Sequence, residues 1–94
     1  MNKCLKITLR GDLPKGFLQS YIQKHAKKLS LEGTVQILNG GEQVIRIIAC
    51  GTKEDVDTFL DLIYKGSTQA DLEEIVAEPF LKERDYRGVF RVIE

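Results

Sequence analysis

The chain has 94 residues, with 14 Lys+Arg against 14 Asp+Glu, 43% hydrophobic and 30% charged. That length holds one domain, residues 1–94, and a domain of this size buries roughly 60–70% of its unfolded surface, enough for a core. The even charge balance gives no electrostatic draw toward nucleic acid or a membrane surface.

No apolar run approaches the ~20 residues that span a bilayer. The opening "MNKCLKITLRGD" has neither the apolar region nor the cleavage site of a signal peptide. These features predict a cytoplasmic protein. In a reducing compartment Cys4 and Cys50 are expected as two reduced core thiols.

"CLKITLR" alternates Leu5, Ile7 and Leu9 against Lys6, Thr8 and Arg10, the period of a half-buried strand. After the turn "GDLPKGFLQ", residues 11–19, apolar residues recur at Leu18, Ile22, Ala26 and Leu29, the period of a helix. Lys24, Lys27 and Lys28 fall on its solvated side. His25, without a second histidine or a neighbouring Cys or Ser on this helix, reads as a partly exposed helix residue.

"GTVQIL" and "EQVIRIIAC" flank "NGG" (Asn39 to Gly41) and predict a hairpin. The second of these strands is apolar at nearly every position, which predicts a central strand buried on both faces. Thr52 and Asp55 form a capping pair opening a helix with the stripe Val56, Phe59, Leu60 and Ile63, and Gly66 is its expected stop. "ADLEEIVAEPF" is a fourth strand, with Pro79 marking an edge or an end. "GVFRVIE" closes the chain as a short strand, after a mixed-charge loop, Lys82 to Gly88, in which Tyr86 is a candidate contact residue.

The order β-α-β-β-α-β with a terminal strand predicts an α+β, ferredoxin-like sandwich: an antiparallel sheet with two helices on one face. The third strand then lies beside the first, which could bring Cys4 and Cys50 close. Two cysteines alone are too few for a zinc site, and no metal or cofactor is expected. The aromatic runs of RNA-binding ferredoxin-like domains are absent, so an RNA-binding role is the least favoured reading.

Several segments resemble the acylphosphatase family. "GTKEDVDTFLDLIYKGSTQADLEEI", Gly51 to Ile75, follows that family's second half, "FRVI" its closing F-x-I, and "AKKLSLEGTV" its A-x-x-L-G-L-x-G-x-V. The resemblance implies the acylphosphatase type of sandwich and metal-free hydrolysis of the carboxyl-phosphate bond of acyl phosphates. It also implies two functional places. One is a turn, G-x-V-Q-G-V-x-F-R, whose N–H groups and final Arg hold the phosphoryl oxygens. The other is an Asn in G-x-V-x-N, which orients the attacking water.

Laid on this chain from Gly11, the turn reads "GDLPKGFLQ" and puts Gln19 at the arginine position. Counted from Gly33, "GTVQI" puts Ile37 at the asparagine position. An arginine brings a permanent charge and a planar fork that matches two phosphoryl oxygens, and a glutamine amide has no charge. Loss of one transition-state donor costs roughly 100- to 1,000-fold in rate. The residues therefore predict a catalytically inactive or very weak member, a small binding or interaction module. The hairpin is two residues longer than is usual in the family, so Asn39 could stand in for the asparagine, and Lys15 could supply a charge. The alternative is thus a functional acylphosphatase. For the turn itself two readings stay open. Lys15, Gly16, Phe17, Leu18 and Gln19 could seat a phosphate or other small anion at a helix N-terminus, or the turn is only a connection.

Overall fold

The computed structural model describes residues 2–12, 18–40, 42–67, 71–79 and 89–93. Five strands form one sheet: β1 (Asn2–Asp12), β2 (Glu32–Gly40), β3 (Glu42–Thr52), β4 (Asp71–Pro79) and β5 (Phe90–Ile93), in the order β4-β1-β3-β2-β5. β1 lies antiparallel between β3 and β4, β2 is antiparallel to β3, and β5 runs parallel to β2. A π-helical turn, Leu18–Gln23, runs directly into α1 (Lys24–Lys28), and α2 spans Lys53–Ser67. The expected α+β sandwich is thereby observed, although the parallel β5 makes the sheet mixed and not wholly antiparallel as expected.

The alternation read from the sequence decides the layers. Leu5, Ile7 and Leu9 of β1, Ile45, Ile47 and Ala49 of β3 and Val35 of β2 are buried on the helix-covered face. Ile22 and Ala26 from the first helical segment and Val56, Phe59 and Ile63 from α2 complete the core. Phe59 meets Phe90 edge to face, ring centroids 6.2 Å apart, the arrangement that the ring quadrupoles favour. Lys24, Lys27 and Lys28 are exposed, as expected.

Local chemistry sets the ends of these elements. Thr52 Oγ1 accepts a hydrogen bond from the Asp55 N–H at 3.2 Å, satisfying one free donor at the start of α2. Gly33 has φ +145°, and a Cβ there would fall 1.7 Å from the Ile48 carbonyl oxygen. Only glycine leaves room for the β2–β3 ladder at that point. Gly66 is not the stop that was expected, since α2 continues to Ser67. It is buried beneath Tyr21, where a Cβ would lie 2.5 Å from Cε1 of that ring. The missing side chain serves close packing of the two helical segments.

Two expectations are corrected. β3 is central, but only one of its faces is covered by helices. Val44 and Ile48 on the other face are half-buried and Arg46 is exposed, because both helical segments pack on the same side. Nor are Cys4 and Cys50 reduced: they are joined in a disulfide. They stand directly opposite each other in the β1–β3 register with Cα atoms 4.2 Å apart, the close approach of an antiparallel pair whose side chains face each other.

Candidate functional site

The ends of β1 and β2 and the start of the first helical segment bound the candidate site. Leu9, Ile45 and Ile37 form one row across β1, β3 and β2 on the helix-covered face. β1 runs on past this row to Asp12, with a register shift against β4 between Arg10 and Gly11, where Gly11 has φ 142°. Such a bulge turns the strand end away from its partner. On β2, past the same end of the row, Asn39 pairs with Gln43 and Gly40 with Glu42.

Ile37 is half-buried and packs against the hydrophobic core. A side chain held there can neither donate to nor accept from a water. Asn39 stands two residues further along the same strand, on the face shared by alternate residues, and its side chain is outside what the structure describes. Gln19 belongs to the π-helical turn, with Leu18 before it, and the structure describes both by their backbone alone. Lys15, Gly16 and Phe17, the centre of the proposed anion seat, lie outside the described residues, as does Tyr86. The sequence pattern gave no sign that the helix after the turn begins as a π-helix. Single π turns occur frequently at functional sites, and this one begins within residues 11–19.

His25 sits away from that end and has a different setting. Its ring packs edge-on against Tyr21, centroids 4.6 Å apart. Burial, then the charges of Lys24 and Lys28, lower its pKa from the ordinary 6.5. It is a half-buried helix residue, as expected. Tyr21 in turn donates its hydroxyl hydrogen bond to the Leu62 carbonyl of α2, which ties the two helical segments together.

A cavity of about 310 Å³, lined by Lys27, Ser30, Leu31, Val89 and Phe90, lies at the start of β2, the opposite end of that strand from Ile37 and Asn39. Among the described residues no three metal-binding side chains cluster, and no helix is long and apolar enough to cross a membrane.

Comparison with known proteins was decisive for the family. The protein-family model described as Acylphosphatase matches residues 5–92. A protein named acylphosphatase from Vibrio parahaemolyticus is 26% identical over 91 residues, 97% of both chains. One from Coxiella burnetii is 28% identical over 82 residues, 82% of this chain and 84% of the other. The solved structure of an acylphosphatase from Coxiella burnetii superposes with a TM-score of 0.79 at 25% identity, covering 98% of this chain and 93% of that one.

Proposed function

The chain belongs to the acylphosphatase family, and on that footing we propose that it is a member with little or no hydrolytic activity. It acts instead as a small interaction module, with the turn 11–19 as its seat for phosphate or another small anion. The observation that carries this reading is the place of Ile37. Counted from Gly33, the resemblance puts Ile37 where the family has its water-orienting asparagine, and this aliphatic side chain packs against the core. By the same resemblance, counted from Gly11, Gln19 takes the place of the family's arginine, without its permanent charge. Catalysis of phosphoryl transfer rests on positioning and on stabilising charge over the phosphoryl oxygens, and both supports are weakened together.

RNA is not the partner we propose. The sheet face opposite the helices carries Lys6, Thr8, Arg10, Arg46, Gln36 and Glu74 but no aromatic side chain among the described residues. Stacking of bases on such a sheet needs aromatic rings.

The placement of Asn39 in β2, one pair before the hairpin closes, favours a second reading. There Asn39 orients the water, and Lys15 with Gln19 holds the phosphoryl group, giving a functional acylphosphatase. One assay separates the two. Hydrolysis of a simple acyl phosphate is measured for the native chain, for Asn39→Ala and for Gln19→Arg combined with Ile37→Asn. The proposal expects native turnover near the uncatalysed rate and a gain in the double variant. Native turnover far above that rate, lost in Asn39→Ala, overturns it. A phosphate titration followed by amide NMR tests the anion seat, and the absence of shifts from Lys15 to Gln19 would leave only a connecting turn.

A further inference from the structure

We infer that the cavity at the start of β2 binds a small carboxylate with an apolar body, its charged end on Lys27 and Ser30 and its body on Leu31, Val89 and Phe90. The cavity holds about 310 Å³, at the small end of the roughly 300–1,000 Å³ that ligand pockets occupy. Its walls come from two places far apart in the chain, the end of α1 and the entry to β5.

The backbone holds both walls in place. On the helix side the Ser30 N–H donates to the Lys27 carbonyl and the Leu31 N–H to the Ala26 carbonyl. On the strand side the Gly33 N–H donates to the Val89 carbonyl at 2.9 Å, and Phe90 stands opposite Gly33 in the β2–β5 ladder. Leu31 and Phe90 are core side chains, 2% and 5% exposed, whereas Val89 is 40% exposed. The cavity therefore has an apolar floor and an apolar rim that stand ready before a ligand enters.

The polar groups select the charge of the ligand. Lys27 is exposed, and among the described residues neither its ammonium nor the Ser30 hydroxyl has a partner. The His25, Ala26 and Lys27 carbonyls are already taken by backbone N–H groups, so the helix end offers few acceptors to a cation. Glu32, which follows Leu31, has a partner of its own, and by alternation it lies on the opposite face of β2 from the buried Val35. Ser30 is held at φ 56°, a conformation that costs a side chain energy and that glycine adopts freely. Strain of this kind gathers at ligand sites, and here it keeps a hydroxyl on the cavity wall. A carboxylate accepts from an ammonium and a hydroxyl together, and a short aliphatic or aromatic body covers the floor. The cavity is at the far end of β2 from Ile37 and Asn39, so the inference is independent of whether the chain hydrolyses acyl phosphates.

The test titrates the full chain with benzoate at constant pH and ionic strength and follows the backbone amides by NMR. Saturable shifts are expected at Lys27, Ser30, Leu31, Val89 and Phe90, with a dissociation constant on the order of 1 mM for a ligand of about nine non-hydrogen atoms. Lys27→Gln should weaken binding about fivefold, the effect of losing a partly solvated ion pair. Ser30→Gly relaxes the backbone and keeps the fold, and should weaken binding about threefold through the lost hydroxyl. Acetate, which has the charge alone, and benzyl alcohol, which has the body alone, should each bind about fivefold more weakly or worse. The absence of saturable shifts at these five residues overturns the inference. So do shifts confined to residues 11–19, benzyl alcohol binding as tightly as benzoate, or native affinity in both variants.

Discussion

The Leu31 N–H donates to the Ala26 carbonyl at 2.9 Å, and between them the Ser30 N–H donates to the Lys27 carbonyl at 3.1 Å. This pair of bonds closes α1 in the form that places one residue in the left-handed region. That residue is Ser30, at φ 56°, where the related motif A-x-x-L-G-L has glycine. A side chain in this region costs roughly 1–2 kcal/mol, of which glycine's larger unfolded-state entropy takes back part. Ser30→Gly is expected to stabilise the fold by about 0.5–1 kcal/mol, read as a higher urea midpoint at unchanged slope.

Tyr21 and Gly66 give the opposite result. Gly66→Ala would place a methyl group against the Tyr21 ring, forcing the two helical segments apart or displacing the ring from its bond to Leu62. Overpacking of this kind costs about 1–3 kcal/mol. The pair Gly66→Ala and Tyr21→Leu should be less than additive, since the smaller side chain vacates the space. A double-mutant cycle in urea checks this, and full additivity would separate the two residues energetically.

The disulfide closes a sequence separation of 46 residues. In the chain-entropy picture a loop of that length stabilises by about 4 kcal/mol. Reduction, or Cys4→Ala with Cys50→Ala, should therefore lower the thermal midpoint markedly while the far-ultraviolet spectrum of the folded state stays the same. Calorimetry with and without reductant makes the measurement.

His25 supplies a pH dependence with a definite sign. Its folded pKa lies below the unfolded 6.5, so the unfolded chain binds the proton more readily. Stability from this residue is complete above the unfolded pKa. It declines as pH falls from there through the folded pKa, below which the loss is complete. Urea midpoints compared at pH 7.5 and 5.5 should differ less for His25→Gln than for the native chain, since the substitution removes this part of the slope.

Much of the fold was legible because alternation is a physical constraint. With one face buried, Leu5, Ile7 and Leu9 had to face inward together, and the Thr52–Asp55 cap was marked by its spacing. The pairing of Cys4 with Cys50 needed the register as well as the composition, and compartment reasoning pointed the other way. β3 looked buried on both sides because Val44 and Ile48 are apolar, although nearby strands shield them only in part. The π-helical start at Leu18 follows from hydrogen-bond register, which residue types do not encode. The candidate site was legible only through the family resemblance, which is what singles out Ile37 and Gln19; the structure adds that Ile37 is half-buried and packs against the core.

The order β4-β1-β3-β2-β5 has a consequence for synthesis. β1 leaves the ribosome first, yet both of its partners come later, β3 ending at Thr52 and β4 at Pro79. Throughout translation, at about 5–20 residues per second, an apolar strand waits with two open edges, a template for unwanted pairing. Lys3, Lys6 and Arg10, spread along that strand, keep the waiting segment charged, so the residues that later form ion pairs with Asp57, Glu78 and Glu74 guard the nascent chain first.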